Sequence, residues 1–197
     1  MAKTKTITTY RIDELSGTAK ETALNWYRDC ICDDDIDDVK YYIKYCASIL
    51  GIDIENIWYS HTYSQGDGAC FEGTYYYKKG WKKDLKEYVA GDDLKKLLNI
   101  GLDLQEAQRQ HFYGISANVL HRGNHYHSGC SFVDYESEHR YDVGIELEEK
   151  LTEAMRSFMD WMFDYIKREY DYLCSESNVM ECCKINEYDF DENGYCV

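Results

Sequence analysis

Residues 57–77, IWYSHTYSQGDGACFEGTYYY, decide the fold. Ile57, Trp58 and Tyr59 on one side, and Phe71, Thr74, Tyr75, Tyr76 and Tyr77 on the other, are β-branched or aromatic types that fit a pleated, half-buried surface. Between them Ser64-Gln65-Gly66-Asp67-Gly68 is turn chemistry, because glycine reaches backbone angles that other residues avoid and Asp and Ser bond their own backbone. Two such runs around such a turn predict an antiparallel hairpin, with strands over 57–63 and 69–77.

Working outward, a second hairpin is predicted from 114–120 and 126–135 around Arg122-Gly123-Asn124. Upstream, residues 4–12 are rich in Thr, Tyr and Ile and predict a further strand. Helical spacing fills the remainder. Ser16 offers an N-cap for a helix over 17–29, and Tyr41, Tyr42, Tyr45, Cys46 and Ile49 mark a second helix over 37–50. Trp81, Leu85, Val89, Leu94, Leu97 and Leu98 mark a third with a break near Gly91, and 102–112 suggests another. The longest apolar stripe is Leu147, Leu151, Met155, Phe158, Met162 and Tyr165, which should lie across a sheet. A short helix is expected in the tail. The predicted architecture is therefore α+β, with an antiparallel sheet built from two hairpins plus an N-terminal strand and helices packed on one face. With no proline, linker or repeat to mark a boundary, a single domain over 1–197 is expected, ending in an acidic tail at about 184–197.

Charge narrows the partners. Lys and Arg number 22 against 37 Asp and Glu, a net charge of -15, which repels nucleic acid and anionic membrane alike and favours cationic partners. No apolar run is long enough for a membrane span, and the first residues show no continuous apolar stretch of the secretory kind, so a cytoplasmic protein is expected. There the nine cysteines are read as thiols, because their odd number without paired CxxC spacing fits neither a disulfide framework nor a zinc ribbon.

Several stretches act as a set: Tyr10-Arg11-Ile12-Asp13-Glu14-Leu15-Ser16 with Trp26-Tyr27-Arg28, Ser64-Gln65-Gly66-Asp67-Gly68-Ala69 with Phe71-Glu72-Gly73, Phe158-Met159-Asp160-Trp161, and Asn186-Glu187-Tyr188-Asp189-Phe190. Together they resemble a family of phage and prophage proteins of similar length, loosely labelled as the antitoxin of a toxin-antitoxin stability system. The resemblance runs nearly end to end, and the turn with its Phe-Glu-Gly follow-on is its most specific part. It implies a mobile-element gene acting in the cytoplasm of an infected bacterium, and it carries over no catalytic residue.

Four constellations invite chemistry. His121, His125, His127 and Cys130 are zinc-ligand types within ten residues, although strand alternation separates Cys130 from His125 and His127 unless a bulge intervenes, so exposed histidines beside a turn are the plainer expectation. The 64–68 turn resembles a phosphate cradle but leads into a strand and not a helix, so a hairpin loop is expected. Flanked by aromatics, it is still the favoured contact region, with Trp58, Tyr59, Tyr63, Ser64, Gln65, Asp67, Phe71 and Tyr75 as binding candidates. The acidic run Asp33, Asp34 and Asp35 joins them, though carboxylates before a helix also answer to its dipole. Asp189, Asp191, Asn193 and Gly194 follow the spacing of an EF-hand calcium loop, but this sequence has no glutamate at the twelfth position, and a solvated acidic tail is expected.

No nucleophile elbow, zinc-protease helix or Walker loop is present, so neither enzymatic activity nor a cofactor is expected. The functional expectation is a phage accessory protein that binds and inhibits a host defence protein or nucleoprotein complex, of anti-CRISPR or anti-restriction type, with its acidic surface standing in for DNA. The alternatives are a sponge for a nucleotide signal and a literal antitoxin, and a second copy of the chain is admitted as a partner.

Overall fold

Alternating burial along two short strands sets the sheet. In β3 (Ile115–His121) the side chains of Ile115, Ala117 and Val119 are buried while Asn118 and Leu120 are exposed; in β4 (Ser131–Ser137) Phe132, Asp134 and Glu136 are exposed. Strands with one wet face and one dry face read this way. The computed structural model describes residues 7–31, 33–60, 66–138 and 144–197. With β1 (Ile52–Ser60) and β2 (Gly68–Tyr76), β3 and β4 form a four-stranded antiparallel sheet in the order β1-β2-β3-β4. The fold is thus α+β, built on the two predicted hairpins. Their limits differ from expectation: β1 begins at Ile52, and β4 begins at Ser131 because Ser128–Cys130 close into a 3-10 turn.

Over its described part, residues 7–12, the predicted N-terminal strand is not part of this sheet; residues 4–6 lie outside the described residues. Among the described residues, Tyr10 makes only an isolated bridge, its N–H bonding Phe190 O at 2.8 Å and its O accepting from Phe190 N at 2.9 Å. Thr and Ile supply propensity, but a strand exists only where an edge is offered, and here the backbone turns at once, with Arg11 N bonded to the Glu14 carboxylate.

Six helices complete the described chain: α1 (Gly17–Cys30), α2 (Asp37–Leu50), α3 (Trp81–Tyr88), α4 (Gly91–Arg109), α5 (Ile145–Leu173) and α6 (Glu176–Ile185). The break at Gly91 is real, its φ of 66° lying in the left-handed region. The separate helix expected over 102–112 is instead the continuation of α4.

The chain forms two compact units, Asp38–Lys167 and Met1–Asp37 with Arg168–Val197. In the larger, Ile43 and Ala47 of α2, Leu97 and Leu104 of α4, and Leu151, Met155, Phe158 and Met162 of α5 share a core with Phe71, Tyr75, Ala117 and Val119 of the sheet. Phe71 meets Phe158 edge to face at 5.9 Å, so the α5 stripe lies on the sheet as its spacing implies. In the smaller, Ile12, Leu15, Ala23, Leu24, Val179, Cys183 and Phe190 form the core, with Trp26 edge-on to Tyr188 at 5.2 Å and Phe190 at 5.7 Å.

Candidate functional site

The open face of the sheet can be read row by row from its register. One row runs Asp53, Thr74, Asn118, Asp134 across all four strands, and the next runs Tyr76, Ser116, Glu136. Asn56 stands opposite Glu72, and Leu120 opposite Phe132. Asp53, Asp134 and Glu136 are exposed, as are Tyr76, Leu120 and Phe132. These rows hold carboxylates, amides and apolar surface but no Lys or Arg. The neighbouring cation, Arg122, lies over the Phe132 ring at 4.2 Å, where the ring quadrupole holds it.

At one end of the sheet the two sequence constellations meet. Ser60 Oγ donates to Asp67 Oδ1 at 2.9 Å, tying together the stems of the first hairpin. Gly68 abuts the second: a Cβ there would lie 2.4 Å from His127 Cα, so only glycine allows the two backbones to approach. Within the second hairpin, Cys130 N donates to His127 O and Arg122 N to Cys130 O, both at 2.9 Å, so the histidine-rich stretch is a tight connection.

The side chains there pair off. Cys70 Sγ sits 3.3 Å from His121 Nδ1, and Cys130 Sγ 3.3 Å from His127 Nε2. The His125 and His127 rings are near-parallel with centroids 6.3 Å apart. Trp58 lies 5.3 Å and Tyr126 5.6 Å from the His121 ring, making a partly buried aromatic trio. Among the described residues, no group of three His, Cys, Asp or Glu side chains is gathered as metal ligands. Burial pushes the Cys70 thiol up to about 12, with the neighbouring Cys130 and Glu72 adding to it, so at neutral pH it is a protonated thiol.

The other candidates divide. Phe71 and Tyr75 are buried in the core, so their rings pack and do not face a partner. Tyr59 is half-buried beneath Lys40 Nζ at 5.7 Å. Tyr63, Ser64 and Gln65 lie outside the described residues, as do the side chains of Asp33 and Asp34. Asp35 is exposed in the 3-10 turn Asp33–Ile36 that leads into α2. The calcium-like run is a turn held from within, since Asp191 Oδ1 accepts the N–H groups of Asn193 at 2.9 Å and Tyr195 at 3.0 Å. Residue-level reading missed Asp134, Glu136, Leu120 and Phe132. Their alternation was the available signal, and it was masked by placing the strand start at Tyr126.

Among the described residues, no helix is long and apolar enough to cross a membrane. Residues 36–176 match the model of a family described as a domain of unknown function, DUF8835. No curated protein and no solved structure matches the chain.

Proposed function

This chain belongs to the DUF8835 family, and from that premise, with a matched span that takes in every strand of the sheet, we propose that it is a binding protein whose open sheet face occupies a basic, nucleic-acid-binding surface of a partner. The observation that carries this is the cross-strand row Asp53, Thr74, Asn118, Asp134, with Glu136 and Glu72 beside it and no cation among them. Three inter-strand gaps of ~4.8 Å make the face about 14 Å wide. A duplex of that length carries roughly eight phosphates around its circumference, so one side presents about four, the number of carboxylates found here. Leu120 and Phe132 add the apolar contact that charge alone does not supply.

The resemblance to phage and prophage proteins supports a host defence nuclease or its nucleoprotein complex as the target, in the bacterial cytoplasm, and inhibition by occupancy as the mechanism. The experiment is capture from a bacterial lysate at two ionic strengths, followed by competition between the captured protein's nucleic acid and this chain. A salt-steep, mutually exclusive interaction supports the reading. Simultaneous binding of both would reject it.

A second reading, a sponge for a nucleotide signal, draws on the Trp58, His121 and Tyr126 trio, whose rings offer stacking surface to a base. Nucleotide in the heat-released extract of the purified protein would favour it.

A further inference from the structure

Away from the sheet face, α2 and α3 bring three exposed tyrosines together. Tyr41 and Tyr45 are one turn apart on α2, and the Tyr45 ring meets the Tyr88 ring of α3 almost at a right angle, 85°, with centroids 5.7 Å apart. Tyr41 is 74% exposed and Tyr88 55%, so a large part of this aromatic surface is in solvent. Tyrosines are ordinarily enriched where a partner covers them.

The charged side chains that act on the Tyr45 and Tyr88 hydroxyls are acidic. Asp84 and Glu87 lie close enough that their charges raise the Tyr45 and Tyr88 hydroxyls above their ordinary value, with Glu87 the leading cause at Tyr88 and desolvation at Tyr45. The lysines of the same elements are engaged elsewhere: Lys40 Nζ lies over the Tyr59 ring at 5.7 Å, Lys44 Nζ donates to Glu55 O at 2.9 Å, and Lys82, Lys83 and Lys86 line a separate cleft with Trp81 and Gln105. Two perpendicular π faces with carboxylates at their margin and no cation among them form a receptacle for a delocalised positive charge. A planar guanidinium suits it better than an ammonium, since it stacks on a ring while its N–H groups bond a carboxylate.

We propose that the Tyr41, Tyr45, Tyr88 corner with Asp84 and Glu87 is a second binding site, which takes an arginine side chain of a protein partner. It is independent of the sheet face and would stand if that reading failed.

The test is an NMR titration of the full chain with N-acetyl-arginine N-methylamide, using the corresponding citrulline derivative as the neutral isostere. Saturable shifts of the Tyr45 and Tyr88 ring signals with the arginine compound alone are expected. Tyr88→Ala should weaken this binding about two- to five-fold, the range for exposed cation–π contacts, and Glu87→Gln should weaken it in the same sense. Both positions are exposed, and an unchanged circular dichroism spectrum verifies folding. Equal shifts with citrulline, shifts spread evenly over Asp53, Asp134 and Glu136, or unchanged affinity in Tyr88→Ala would each overturn the assignment.

Discussion

Gln108 is joined to Ile115 by two hydrogen bonds: its Nε2 donates to Ile115 O at 2.6 Å, and its Oε1 accepts from Ile115 N at 3.1 Å. The amide thereby serves both backbone groups at the start of β3, as a neighbouring strand would. Gln108 is fully buried, so both bonds are shielded from water. Replacing it by leucine removes both and leaves a buried N–H and C=O unsatisfied. A loss of about 2–4 kcal/mol is expected in urea-monitored unfolding, since each orphaned group costs roughly 1–3 kcal/mol and the strand end relaxes in part. A loss under 0.5 kcal/mol would show that the bonds are not formed in solution.

Gly68→Ala places a methyl group against the backbone of His127. Neither side is a flexible chain end, so the two hairpins must separate. Destabilisation of about 1–3 kcal/mol is expected, read as a fall in Tm. The nearby Gly123→Ala meets no atom within 4 Å but sits at φ 104°, so its penalty is conformational and confined to its own turn.

Charge reversal at Asp134 and Glu136 tests the sheet face directly. Both side chains are exposed, and the double lysine variant should keep its stability within about 0.5 kcal/mol of the parent. Binding to the captured partner should fall at least about ten-fold at low salt, with the difference shrinking as salt rises. An undiminished affinity in a pull-down titration would remove this face from the interface.

The buried thiols give a pH prediction with a definite sign. Burial pushes Cys70 up to about 12 and Cys46 up to about 11, so the folded protein holds these protons more tightly than the unfolded chain does. Their stabilising contribution is complete below the ordinary thiol value and declines as the pH climbs through the raised ones. Thermal midpoints should therefore drop between about pH 9 and 12, and Cys70→Ala should flatten that drop. At pH 8 in native buffer, a thiol reagent should modify the exposed Cys30 promptly while Cys46, Cys70 and Cys183 wait for unfolding.

Asp191 supplies the opposite sign. The backbone N–H of Tyr195, ahead of the smaller contributions from Asn193 and Gly194, holds its carboxyl below the ordinary value. The turn is therefore favoured above the ordinary carboxyl pKa and weakens as acid protonates it. Millimolar calcium should leave Tm unchanged, because this carboxylate is already occupied by backbone donors; a calcium-dependent rise would contradict that assignment.

Periodicity carried much of the fold and little of the site. The α5 spacing of Leu151, Met155, Phe158 and Met162 was legible because a helix stripe is written in local sequence. The first hairpin was legible for the same reason. Residues 4–12 misled because Thr and Ile advertise strand propensity, whereas pairing depends on an edge, and Tyr10 finds its only described partner at Phe190. The further helix expected over 102–112 is the second half of α4, which runs unbroken through Gly101, where the missing Cβ leaves room for the Trp81 ring that a methyl group would meet at 2.3 Å. Gln108 was invisible, since a polar residue at a helical position reads as solvent-facing until the strand it serves is in place. Phe71 and Tyr75 were placed near a partner by composition alone, and burial at 0% and 1% assigns them to the interior.

The order β1-β2-β3-β4 also has a bearing on synthesis. From β2 onward each strand pairs with the strand synthesised before it, with α3 and α4 made between β2 and β3. The two hairpins, β1 with β2 and β3 with β4, close over short separations, which cost little entropy and close quickly, so each is able to form as it is translated.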